Sequence, residues 1–427
     1  MLYMQRTPFY GWLVELLGGE ANGFALVPPT QFLVLGMATL ILFGAVQYYG
    51  ASARAALAVT LPIPFSNSAL LFLNDVHPEI LATSLVLVGL ACLMALCRGA
   101  ATLPAAVGLG LSLGAAYLMK PAFIMFIPVV PSMAILLLRL RGASWRQCCL
   151  PVSLVAVAVT LPFAIYAGLR YAETGSFQVV SYGGFQSSGM SGLMLRPETI
   201  AKLPREHRDR AAFIVEQRDA LAAQGQMLPI PLNSQNVRSF PSAALGYFDV
   251  LARSNDNVLY DIVSGTRGRS ESWVEFDQSL QAFTIAVVKA EPAYYAAWVI
   301  GATTRFVGLA TVANATFAVA SFALAGLFCL AVLCGRVTKA AGGAGSRDLA
   351  IVAVIVGGYT LANYLPSVLM TFPARRYVDT AALLLATFPL YALFGVWGRW
   401  FQPSHREPAL KSHWSQVDLS ELPPSAR

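Results

Sequence analysis

The sequence predicts an all-α polytopic membrane protein, with about nine transmembrane helices and one large, α-rich extracytoplasmic loop domain. Three observations carry this. Hydrophobic residues make up 56% of the 427 and charged residues 12%, about half the charge fraction of a soluble domain. Several windows of roughly 20 residues are nearly uncharged, the length that crosses a bilayer core as a helix. One stretch of soluble composition, residues 170–311, interrupts them.

In chain order, residues 1–29 form an outer-face juxtamembrane segment. MLYMQRTPFY carries an arginine but no compact apolar run ending in small residues, so it does not read as a cleavable signal. Arg6 opens an amphipathic stretch, PFYGWLVELLGG, expected to lie on the outer surface. Spans follow at 30–49, 55–73, 80–97, 101–119, 121–138, 148–169, 312–335, 349–371 and 377–397. They are read as helices because a helix satisfies its own backbone polar groups in lipid. The second holds Pro62, Pro64, Ser66, Asn67 and Ser68, which predicts a kink or partial insertion.

Six spans thus form a first membrane part, 30–169, and three form a second, 312–397. The loop between them carries a helical pattern at 205–224, with Ala212, Val215, Leu221 and Ala222 near one face. It reads as a lid or platform on the membrane part. Tyr294–Ala310 contains Arg305 and reads as a tenth span or an interfacial helix, the charge count favouring the helix. Residues 398–427, rich in Pro, Ser and charge, read as a disordered cytoplasmic tail.

Arginines and lysines set the orientation. Loop 139–147 carries three arginines, loop 336–348 carries Arg336, Lys339 and Arg347, and the tail carries Arg399, Arg406 and Lys411. With alternating spans all three become cytoplasmic together with Arg54 and Arg98. The N-terminal segment, the turn 74–79, Lys120, the 170–311 loop and the turn 372–376 then share the extracytoplasmic face. The net charge of +7 lies mainly in short loops beside spans and predicts no nucleic-acid partner. The six cysteines (Cys92, Cys97, Cys148, Cys149, Cys329, Cys334) lie in or at the ends of apolar spans, without metal-ligand spacing to a histidine. They read as small apolar side chains.

The chemistry gathers on that outer face. LNDVHPEI places Asp75, His77 and Glu79 in one short turn between apolar runs. Asp75 reads as a helix cap or a supporting acid, and Glu79 as a first-turn acid favoured by the helix dipole or a functional carboxylate. Lys120, before Pro121, is either a snorkelling lysine or a phosphate contact. Arg375, Arg376 and Tyr377 form a second basic spot, a headgroup anchor or a bidentate phosphate clamp. A carboxylate can serve as a general base and cations can stabilise a departing phosphate. Together these are the needs of transfer from a lipid-phosphate donor.

Several stretches resemble the polytopic type C glycosyltransferases, in particular the protein-mannosyltransferase-like and aminoarabinose-transferase-like bacterial members. RTPFYGWLVELLGG resembles the segment closing that family's first outer loop. NDVHPEILATSLVLVGLACL resembles its short loop with a Glu before a long span. LGLSLGAAYLMKPAFIMFIPVV resembles its Gly-rich span ending in Lys, and RRYVDTAALLLATFPLY its late Arg-Tyr before the final span. The similarity covers roughly residues 5–170 and 372–396, and each motif is loose.

The resemblance implies a bacterial inner-membrane transferase. It would move a sugar from a polyprenyl-phosphate donor to a periplasmic acceptor, a lipid, glycan or protein. Glu79, with Asp75 and His77, would support catalysis; Lys120, Arg375, Arg376, Tyr377 and Arg6 would bind substrate. Glu79 matches the family's second-loop acid, Lys120 and Arg376 match by position relative to spans, and His77 has no counterpart. The family's catalytic aspartate lies in a first loop that has no equivalent here, so either the start codon is placed late or the base is lost. A divalent metal fits this chemistry, but the sequence demands no cofactor. The alternatives are a transporter or flippase of a lipid-linked or anionic solute, and a non-catalytic member of an envelope-assembly complex. A polysaccharide polymerase should show arginine-rich motifs in two large outer loops, and one loop here is large.

Overall fold

The computed structural model describes residues 9–72, 76–99, 102–225, 237–246, 258–312, 314–333, 345–369 and 375–400. Among them every regular element is helical. The first part of the chain contributes α1 (Phe9–Leu16), α2 (Val27–Tyr49), α3 (Ala53–Thr60), α4 (Asn67–Phe72), α5 (Glu79–Arg98), α6 (Thr102–Met119), α7 (Phe126–Leu140) and α8 (Trp145–Thr174). Then come α9 (Gly183–Met194), α10 (Pro197–Lys202), α11 (Arg205–Ala223), α12 (Val258–Gly265) and α13 (Trp273–Ala290). The chain closes with α14 (Pro292–Thr311), α15 (Ala315–Leu333), α16 (Gly345–Leu369), α17 (Arg375–Ala381) and α18 (Thr387–Trp400).

Among the described residues six helices are long and apolar enough to cross a membrane: α2, α5, α6, α7 with its preceding 3-10 turn, α8 and α16 from Arg347. The pair α14 and α15, bent by 66°, makes a seventh if taken as one span. The expected nine are not reached among the described residues, and two of the expected spans are broken locally. Residues 55–73 break into α3 and α4, separated by turns over 61–66. Pro62 and Pro64 lack an amide donor and push their neighbours out of the helical region. The span expected at 377–397 breaks into α17 and α18 across 382–386. Pro389 would clash with the carbonyl of Leu385 if a helix continued through that turn. Six expected spans have counterparts, with α8 running to 30 residues from a Ser144–Gln147 capping box at its start; the span expected at 312–335 appears only as α15, bent against α14.

Helix α5 is the hub of the bundle, buried along most of its length against α2 and α6. Polar contacts fix which ends meet. Arg98, at the end of α5, lies 4.4 Å over the ring of Tyr48, at the end of α2. Arg141 Nη1 donates to the Cys97 carbonyl at 2.9 Å, and the Ser52 amide donates to Asp348 at 3.2 Å. So α2 and α5 run in the same direction, and α3 and α4 carry the chain back between them.

The opposite end carries Glu79, Lys120, Tyr377 and the 170–311 segment. That segment builds a second core, in which Leu193, Ile214, Phe276 and Phe283 of α9, α11 and α13 continue into Trp298 of α14, Val368 of α16 and Val378 of α17. Helix α11 buries Ala211, Ile214, Val215 and Arg218, spacings of three and four that define one face. Ala212, expected on that face, is exposed. Helix α9 packs closely on α13 because glycines stand at the contact. A Cβ on Gly184 would lie 2.0 Å from the Asp277 carbonyl oxygen.

Buried Arg170, near the end of α8, donates to the Gln178 carbonyl and to Ser181, which tie it to this segment. Asp277 accepts from the Phe185 amide at 2.9 Å and from Gln281 at 3.0 Å. Burial pushes its carboxyl above the ordinary value even so. The segment is thus tied to the bundle by buried polar contacts as well as by its core.

Candidate functional site

Glu79 is the first residue of α5, and Pro78 is its N-cap. Proline fits a helix start because no intrahelical partner is lost there. The carboxylate enters the bundle end with 7% of Glu79 exposed. Lys120 sits in extended backbone (φ −137°) between α6 and the 3-10 turn Pro121–Met125, and is 8% exposed. Its Nζ lies 3.9 Å from Glu79 Oε1. His77 Nδ1 lies 4.0 Å from Glu79 Oε2, with its ring half exposed. Lys120 Nζ also stands 5.2 Å over Phe123 and 5.8 Å over Tyr377, within cation–π range.

The sequence therefore names four residues that the fold brings together from three separate elements: His77 and Glu79, Lys120, and Tyr377. Asp75 and Arg6 lie outside the described residues. Arg375 and Arg376 form the start of α17, directly before Tyr377; their side chains lie outside the described set.

Two further residues belong here, and a third is buried close by in sequence. Tyr10 of α1 lies close enough to feel the same carboxylate: burial, followed by the Glu79 charge, pushes its hydroxyl up to about 12. Its sequence signal was the RTPFYG stretch, read as a surface segment. In fact Phe9, Tyr10 and Leu13 pack on the bundle core while Trp12 and Leu16 face outward. Phe123 stands three residues after Lys120 and was not marked by any charge. Asp379, two residues past Tyr377 on the same short helix, is buried at 2% exposed, inside an otherwise apolar run.

The electrostatics follow from burial. Glu79 Oε2 and Tyr10 Oη are both buried and make no hydrogen bond among the described residues. Leaving such atoms unbonded costs about 1–3 kcal/mol each. Both nitrogens near Glu79, Lys120 Nζ and His77 Nδ1, stand about 1 Å beyond hydrogen-bond distance. A hydroxyl between Glu79 and His77 could bond to both, and an anion could be held by Lys120. No group of three His, Cys, Asp or Glu side chains that could hold a metal ion occurs among the described residues.

A second ion cluster, at Glu291 between α13 and α14, is structural in character. Arg196 and Glu291 form a buried ion pair, Lys202 Nζ donates to Glu291 at 2.8 Å, and Thr199 donates at 2.8 Å. Burial, the largest influence, raises the Glu291 carboxyl, but these donors outweigh it and hold it below its ordinary value.

The chain matches no protein-family model, no curated protein and no solved structure.

Proposed function

We propose that the protein is an integral-membrane glycosyltransferase, moving a sugar from a polyprenyl-phosphate donor to an acceptor hydroxyl on the periplasmic side of a bacterial inner membrane. The observation that carries this is a buried carboxylate, Glu79, flanked by Lys120 at 3.9 Å and His77 at 4.0 Å. The acceptor oxygen attacks the anomeric carbon, and the bond from that carbon to the donor phosphate oxygen breaks. The acceptor proton passes to the Glu79–His77 pair. The polyprenyl phosphate leaves with the bonding electrons, its charge met by Lys120 and by Arg375 and Arg376. The arginine-rich loops at the other end of the bundle face the cytoplasm in this reading.

The test is turnover by the purified full chain, in detergent, on a panel of radiolabelled polyprenyl-phosphate hexoses and pentoses. Release of polyprenyl phosphate should fall about 100-fold or more in Glu79→Gln. No release from any donor, or equal release by the variant, refutes the proposal.

One observation favours the transporter reading as a second choice. Two broken elements pack together, α4 with α17 and α3 with α18, and discontinuous helices of that kind carry substrate sites in transporters. Facilitated flipping of a fluorescent polyprenyl phosphate in proteoliposomes, lost in Asp379→Asn and retained in Glu79→Gln, would select it.

A further inference from the structure

A cavity of about 550 Å³ opens between α14 and the short helix over residues 240–246. That volume suits a ligand of small-molecule size. Its floor is a close helix contact: a Cβ on Gly301 would meet Pro241 Cβ at 2.4 Å. The short helix is fixed from behind by buried Phe240, packed edge-on to Tyr294 at 5.3 Å. The walls are apolar, with Pro241, Leu245 and Ile300 among them, yet two guanidinium groups, Arg238 and Arg305, also line the cavity. None of the residues lining it is acidic.

The position matters as much as the lining. Helix α14 lies along the Glu79 end of α16, with Trp298 Nε1 donating to the Val368 carbonyl at 3.1 Å and Thr303 bonded to Tyr364 at 2.6 Å. Trp298, Ala302, Phe306 and Ala310 face inward. Ile300 and Val307, on the other face, are 68% and 52% exposed. The mouth of the cavity therefore opens beside an outward face on which Ile300 and Val307 flank exposed Thr304, on a bundle whose other outward faces show Leu40, Leu111 and Leu161. Exposed apolar side chains beside two arginines are complementary to an amphiphile with an anionic head.

We propose that this cavity is a binding site for an anionic membrane phospholipid. Arg238 and Arg305 clamp the phosphate, and Pro241, Leu245 and Ile300 receive the start of an acyl chain. Paired guanidiniums suit this task because each can present two parallel donors to a phosphate. The site is separate from the Glu79 cluster and does not depend on the proposed transfer reaction.

The experiment is native mass spectrometry of the full chain in a neutral detergent, titrated with phosphatidylglycerol or with phosphatidylcholine of the same acyl chains. Phosphatidylglycerol should bind about tenfold more tightly, and Arg238→Gln should remove most of that preference. Arg305→Gln should do the same. If its fold is lost, Arg238→Gln still decides, since its exposed side chain is not needed for folding. Arg269→Gln, an exposed arginine away from the cavity, should leave the preference intact. Equal binding of the two lipids overturns the proposal, as does an unchanged preference in Arg238→Gln. A comparable loss in Arg269→Gln would assign the preference to bulk charge and also overturn it. Displacement of phosphatidylglycerol by millimolar inorganic phosphate would make the ligand a free phosphate rather than a lipid.

Discussion

Removing Glu79 should destabilise the protein through Lys120. The two charges are 3.9 Å apart, and each side chain is 10% exposed. At an effective dielectric of about 20 their attraction is about 4 kcal/mol. Desolvation of both groups offsets much of it, and the separation exceeds a hydrogen bond, so the net coupling should be about 1–3 kcal/mol. Glu79→Gln leaves a buried ammonium against the Phe123 and Tyr377 rings without the Glu79 charge, and should cost about 3 kcal/mol. Lys120→Met should cost less, about 2 kcal/mol, because His77 at 4.0 Å still faces the carboxylate. The double variant removes both charges and should cost less than the sum of the two. Reversible unfolding of all four proteins in mixed micelles closes the cycle. Single costs that add to within about 0.5 kcal/mol would mean no coupling. That result would sink the idea that these two residues form one site.

The remaining predictions concern two glycines and the Glu291 cluster. Gly184→Ala should cost about 3 kcal/mol or more, since its Cβ would stand 2.0 Å from the Asp277 carbonyl oxygen. Gly168→Ala in α8 meets nothing within 4 Å and should be neutral or gain up to about 1 kcal/mol; thermal unfolding of the pair checks both. The folded Glu291 carboxyl is held below its ordinary value, so its contribution is present above about pH 4.3 and lost as pH falls through the lower, folded value. Wild-type melting temperature should therefore drop steeply on acidification below about pH 4.3. Glu291→Gln should melt lower at pH 7, because Arg196 is left buried without a carboxylate, and should show a shallower acid limb. An acid limb identical in the two proteins would contradict this assignment.

The helical class and most spans were legible because apolar runs of span length have few other solutions in lipid. The grouping of His77, Glu79, Lys120 and Tyr377 was legible for a related reason: charges are rare in such runs and collect at helix ends, and alternation sorts the ends into two sets. What the sequence hid was short-range. Pro62 and Pro64 signal a kink in residues 55–73, but the apolar composition of 377–397 does not say that Pro389 divides it. Tyr10 and Phe123 carry no charge and could be placed only by packing. The face of α11 was shifted because Arg218 is buried: it donates to the Gly192 and Leu195 carbonyls at 3.0 and 2.9 Å. A hydrophobicity pattern counts such a residue as solvent-facing.

The two breaks bear on how the site is held. Irregular backbone at membrane depth persists only where protein covers it and supplies the missing hydrogen bonds. The break at 382–386 meets that condition along its length, and the break at 61–66 meets it in part, with Pro64 and Phe65 facing outward. Ile63, Leu383, Leu384 and Ala386 are each at most 3% exposed. Ser66 donates to the Ile63 carbonyl at 2.9 Å, Asn314 to Ala382 at 3.3 Å and Tyr359 to Thr380 at 2.9 Å. Two of these donors come from elements other than the one they serve. Opening either break as an alternating gate would strand these carbonyls, at about 1–3 kcal/mol for each. The geometry favours a fixed cradle, in which the short α17 presents Tyr377 to Lys120 because α17 cannot run on into α18. A fixed cradle suits chemistry at one end of the bundle better than passage through it.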